Sequence, residues 1–211
     1  MTYVAPKAHR DHNNVFIFGD SIAGGAALAS FSDSFAAKLS EQYAEAAFTN
    51  VFQSGGSIDR LYDHIDEVMA HSPDLVIIEF GMNDHVFGAN SLPLFTTRLD
   101  TIVAKFVASG IDVVAVGFFQ ENTRFTMENP VDTQTYNQAI HDVAAKYNVP
   151  FVDIQTAFAS LAASGKRIED MTADFIHHPN SFGQSVYFSL IAPYVGPGDA
   201  FNGNSHFVTV K

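Results

Sequence analysis

The chain contains no cysteine. Disulfides and thiolate metal sites are therefore excluded, while the redox compartment stays open. Basic residues are scarce: 11 Lys and Arg stand against 23 Asp and Glu, for a formal charge of −12. A surface of that sign repels phosphate backbones and anionic membranes, so no nucleic-acid partner is expected, whereas a neutral small molecule meets no such barrier. No run approaches the ~20 apolar residues of a membrane span. The first residues, MTYVAPKAHRDHNN, lack the apolar stretch of a secretory leader, so none is expected there. No Gly-rich loop has the Walker spacing, and no His, Asp or Glu cluster has metal-ligand spacing, so neither a metal nor a cofactor is expected.

What is present describes a globular domain. With 211 residues, 47% hydrophobic and 16% charged, the chain fits a single domain, residues 1–211, with one sizeable core. A chain of this length buries roughly 70% of its unfolded surface and needs no staples. Its last stretch, GPGDAFNGNSHFVTVK, reads from about residue 195 as a Gly, Pro and Asn linker followed by a short strand directed toward a further domain. The compartment is left open.

Apolar, β-rich runs alternate with helical patterns. VFIFG (15–19), AFTNVF (47–52), DLVIIEF (74–80), IDVVAVGFF (111–119) and PFVDI (150–154) read as strands. Helices are expected over 31–46, 57–72, 96–110, 133–148, 155–164 and 181–195. Continuous apolar strands are covered on both faces, and strand–helix alternation predicts an α/β fold: a three-layer α/β/α sandwich around a five-stranded parallel sheet. Right-handed crossovers then place every strand-to-helix loop along one edge, beyond the carboxyl ends of the strands, where ligands bind.

Chemical residues fall on that edge. Ser21 follows the first strand in Gly19-Asp20-Ser21, Gly55 and Gly56 follow the second, and GMND (81–84) follows the third. A serine hydroxyl needs an adjacent base oriented by a third group. Of nine histidines, His177 has Asp174 three residues before it in DFIHHPN, and His178 has the same acid four residues before it. The Ser21 and Gly55 N–H groups and the Asn83 amide suit the developing oxyanion of acyl transfer. Taken singly, each block has a structural reading: Ser21 as a cap, Gly55 and Asn83 as turns, the two histidines as a surface pair. Asp84 fits a structural role.

These blocks together resemble the SGNH (GDSL-type) hydrolases. They are Gly19-Asp20-Ser21; NVFQSGGS, with Asn50 five residues before Gly55; GMND with Asn83; and Asp174 with its histidines, then Pro179-Asn180 and Gly183. The resemblance implies a flavodoxin-like SGNH hydrolase fold and catalysis by Ser21, Asp174 and His177. It implies an oxyanion hole of Ser21, Gly55 and Asn83, with no metal. The family pattern is Asp-x-x-His-Pro-Asn, and this chain carries one residue extra. Counting forward from Asp174 selects His177; counting back from Gly183 selects His178. The short Asp-x-x-His loop favours His177. The α/β-hydrolase motif G-x-S-x-G occurs nowhere in the chain.

The expected activity is that of a serine esterase removing short acyl groups, especially O-acetyl from a carbohydrate, a small molecule or a polysaccharide. The rivals are a lysophospholipase or thioesterase for longer chains, and a non-catalytic binding or structural module of a larger protein. His85 lies near the expected site. Glu121, Asn122, Arg124 and Phe125, after the fourth strand, stand where they would shape a substrate pocket or form a solvated loop.

Overall fold

Five apolar runs form the strands β1 (Asn14–Gly19), β2 (Ala47–Phe52), β3 (Leu75–Glu79), β4 (Asp112–Val116) and β5 (Phe151–Val152). All pair in parallel, in the order β2-β1-β3-β4-β5. The computed structural model describes residues 11–86, 88–124 and 130–196. Phe125 and the expected linker and strand from residue 197 onward lie outside the described residues.

Valine, isoleucine and phenylalanine make β1, β3 and β4 nearly continuous apolar ribbons, and these strands are buried along almost their whole length. β2 departs from the expected two-sided cover. It is an edge strand, its residues are at most half-buried, and Phe52 is exposed.

The helices are α1 (Phe35–Gln42), α2 (Asp59–Ala70), α3 (Met82–Val86), α4 (Leu92–Ala108), α5 (Pro130–Tyr147), α6 (Ile154–Ala163) and α7 (Ser181–Ile191). α1 is shorter than the expected 31–46. Ser30 caps a separate 3-10 turn over Phe31–Asp33, and Ser34 restarts the chain as α1 by accepting the Ala37 N–H. α4 begins a turn earlier than expected, at Leu92, because Pro93 suits a first turn. α3 was not expected at all: GMND reads locally as a turn, but its last three residues open a five-residue helix.

α1 and α6 pack beside α7, while α2 and α5 pack beside α4, giving a helical layer on each side of the sheet. Right-handed crossovers dictate this: the first connection runs outward from β1 to β2 and the later ones run the other way across β3, β4 and β5. Strand order therefore reverses between β1 and β3, opening a crevice at their carboxyl ends.

Candidate active site

Ser21 stands at that crevice. β1 ends at Gly19, and the chain enters a run of turns in which the Asp20, Ser21 and Ile22 carbonyls accept the N–H groups of Gly24, Ala26 and Gly25. The Asp20 carboxylate stiffens the turn by accepting the Ile22 N–H at 2.8 Å. Buried Gln184 of α7 locks it from behind, donating to Ile22 O at 3.0 Å and accepting the Phe35 N–H of α1 at 2.9 Å.

The loop before α7 brings the acid and the base. Asp174 Oδ1 accepts three successive N–H groups, from Ile176, His177 and His178, at 2.8, 3.0 and 3.1 Å. This nest requires Phe175 in the left-handed region, at φ +65°. The loop closes where Thr172 pairs with Pro179 and the Ala173 N–H donates to His178 O. Asn180 then caps α7, its Oδ1 accepting the Phe182 and Gly183 N–H groups.

This geometry reverses the choice between the histidines. His178, not His177, reaches Ser21: its Nε2 lies 3.1 Å from Ser21 Oγ, and its Nδ1 lies 2.7 Å from Asp174 Oδ2. The reason is local. The three N–H bonds to Asp174 Oδ1 draw Ile176 and His177 into the tight turn, so the ring four residues after the acid is the one that swings onto Oδ2. Forward counting by family spacing misses this because the extra residue is absorbed inside the nest. The His177 ring lies tilted at 45° against that of His178 with centroids 4.1 Å apart, and its Nδ1 faces Glu121 at 3.7 Å and Asp174 at 3.8 Å.

Burial works to raise the Asp174 pKa, but the N–H groups of Ile176 and His178, the His178 ring and the His177 N–H outweigh it and hold the carboxyl below its usual value. Asp174 is therefore ionised at neutral pH and accepts from the Nδ1–H of His178, leaving Nε2 to accept from the Ser21 hydroxyl. Asp174, His177 and His178 also form a group whose ligand atoms lie within 4.8 Å of one another. Both ring nitrogens of His178 are engaged by Ser21 and Asp174, so the group is bonded as a relay rather than arranged around an ion.

The expected oxyanion donors lie on the loops after β1, β2 and β3. Gly55 lies in the turn after β2 at φ +71°, exposed, with open space around its Cα. Asn83, at the start of α3, donates both amide hydrogens to protein acceptors, Asp20 Oδ2 at 2.8 Å and Gly56 O at 2.9 Å. The Asn83 amide thereby ties the β1, β2 and β3 loops together. Asp84 points away from the reaction: it accepts the Ile58 N–H and the Asn90 amide, the structural role expected of it.

Asn122 performs a task that sequence spacing does not reveal. Its Nδ2 donates to Phe175 O at 2.8 Å and Glu169 at 3.1 Å, and its N–H donates to Ile176 O, clamping the histidine loop to the end of β4. Glu121 is buried beside His177. Arg124, largely exposed, lies 3.5 Å from Glu169. His85 packs its ring against Phe118 and Tyr136. Asn50 donates to Ala23 O at 3.0 Å and so braces the nucleophile turn.

Several solved structures share this fold. An α/β hydrolase, LAE5, from the metagenome of Lake Arreo aligns over 90% of this chain and 97% of its own, with TM-score 0.74 and 21% identity. A lipase/acylhydrolase from Enterococcus faecalis aligns over 85% and 93%, with TM-score 0.73 and 22% identity. The acetylxylan esterase Axe2 from Geobacillus stearothermophilus aligns over 88% and 95%, with TM-score 0.72 and 19% identity. No curated protein matches the chain by sequence. Residues 17–186, which hold Ser21, Gly55, Asn83, Asp174 and His178, match the GDSL-like lipase/acylhydrolase family, and the chain belongs to that family of ester-cleaving hydrolases.

Proposed function

We propose that the chain is a serine esterase working through an acyl-enzyme, with Ser21 as nucleophile, His178 as base and Asp174 as its orienting acid. The observation that carries this is the continuous relay from Asp174 Oδ2 through His178 to Ser21 Oγ, at 2.7 and 3.1 Å. His178 Nε2 takes the Ser21 proton as Oγ attacks the ester carbonyl. The carbonyl oxygen becomes an oxyanion facing the Ser21 and Gly55 N–H groups and the Asn83 amide, which shares the hydrogen it gives to Gly56 O. Collapse breaks the bond to the alcohol, which leaves with the proton from His178. Water, deprotonated by His178, then attacks the acyl-serine and releases the acid.

The substrate class is a short acyl ester, an O-acetyl group on a carbohydrate. Among the described residues, the carboxyl edge carries one inserted helix, the five-residue α3, whose Met82 is buried in the core. Among the described residues, no α-helix longer than these five residues is inserted there to build a long acyl groove. An acetylxylan esterase among the fold relatives is consistent with this choice.

The test is hydrolysis of p-nitrophenyl acetate and octanoate by the wild type, Ser21→Ala, His178→Ala and His177→Ala. Ser21→Ala and His178→Ala lose on the order of 10³-fold or more in kcat, His177→Ala keeps most of it, and acetate is the better substrate. Wild-type turnover by Ser21→Ala rejects the mechanism, and a preference for octanoate rejects the acetyl specificity.

A further inference from the structure

A second pair of acids lies directly behind the nucleophile and takes no part in the steps above. Glu79, the last residue of β3, and Asp20, which immediately precedes Ser21, are each 1% exposed. Parallel pairing sets Glu79 opposite Gly19. A Cβ on Gly19 would lie 2.9 Å from Glu79 Oε2, so glycine there leaves room for the carboxyl. The ionisable groups acting on the pair are Asp84 from α3 and Tyr187 from α7, together with each other.

Two ionised carboxylates in such a place are prohibitive, so the pair must hold a proton. The hydrogen bonds say which member holds it. Asp20 accepts two good donors, the Ile22 N–H on Oδ1 and the Asn83 amide on Oδ2, both at 2.8 Å. Glu79 receives two backbone N–H groups, that of Asp20 at a long 3.4 Å and that of Ala23, and no side-chain amide. Resting on the esterase reading above, we infer that Glu79 is a positioning residue: its protonated carboxyl donates to Asp20, the first of the two to ionise, whose carboxylate holds the Asn83 amide and the nucleophile turn in register. Burial first, and then the Asp20 charge, raise the Glu79 pKa well above its usual value, in keeping with that assignment.

The inference is tested with Glu79→Gln, which keeps a donor, and Glu79→Leu, which removes it. Infrared difference spectra of the wild type against Glu79→Gln at neutral pH read the proton directly. A protonated-carboxyl stretch present in the wild type and lost in the variant supports the assignment, and its absence overturns it. In p-nitrophenyl acetate hydrolysis, Glu79→Gln keeps at least about a third of kcat, while Glu79→Leu loses about 10- to 100-fold in kcat with KM little changed, as expected of a misplaced donor. Equal losses in both variants, or wild-type kcat in a folded Glu79→Leu, overturn the role. Should Glu79→Leu fail to fold, the spectrum and the alkaline limb decide: Glu79→Gln stays active to higher pH than the wild type because it has no second buried charge to form. An unshifted limb counts against the role. Ser21→Ala run alongside separates the two ideas, since its retained activity rejects the esterase reading itself whatever the infrared band shows.

Discussion

The residue that organises the site most tightly is Asp174. One oxygen gathers three backbone N–H groups and the other takes the His178 ring. The two oxygens have separate tasks, and a single substitution separates them. In Asp174→Asn, the amide oxygen is expected to keep the nest while the NH₂ faces Nδ1, which is then unable to donate. The imidazole is left in the wrong tautomer, with Nε2 protonated and unable to accept from Ser21. Turnover is expected to fall on the order of 10³–10⁴-fold with little change in thermal midpoint. Kinetics and thermal unfolding of the same preparation check both halves of that expectation. A large drop in midpoint would mean that the nest, not the tautomer, had been lost.

At the scale of elements, the site depends on how closely α7 approaches the loop before it. Gly183 lies in the first turn of α7, and a Cβ there would sit 2.4 Å from Met171 O and 2.9 Å from Pro179 Cβ. Neither neighbour is the free end of a flexible side chain, so Gly183→Ala must push α7 and the histidine loop apart. The cost is about 1–3 kcal/mol of stability, read as a lowered thermal midpoint. Activity falls beyond that cost because His178 moves with the loop. The glycine five residues after His178 is thus a packing requirement of the catalytic loop. Asn122 and Gln184 secure the same assembly from β4 and from behind Ser21, and neither is legible in the sequence because their partners lie on distant segments.

Across the whole molecule, three buried acids share the floor of the site. Burial raises Asp20 to about 7 and Asp84 to about 6, and it raises Glu79 well above its usual value. Each group binds protons more tightly folded than unfolded, so this part of the stability is present below the ordinary carboxylate pKa of about 4 and lost as pH rises to about 7 and beyond. Asp174 has the opposite sign, but its contribution is lost only below the ordinary carboxylate range. The thermal midpoint is therefore expected to fall by several degrees from about pH 5.5 to about pH 8, at about 2–4 °C for each kcal/mol. Repulsion among the net −12 charges acts in the same direction, but salt screens it and does not screen the buried acids. Midpoints measured at low and high salt separate the two, and a fall that salt abolishes would deny the acids their part.

The alternation of apolar runs and helical stripes was enough to determine five parallel strands, the layers around them and the edge where Ser21, Gly55, Asn83 and Asp174 converge, because those patterns are local and the crossover hand is fixed. The tertiary structure alone decided which histidine reaches Ser21. Residue counting measures distance along the chain, whereas ring direction depends on the Asp174 nest and the left-handed Phe175. It alone placed Glu79 against Asp20, since residues 59 apart in sequence meet only through the register of β1 on β3, a pairing that a strand's own residues do not encode.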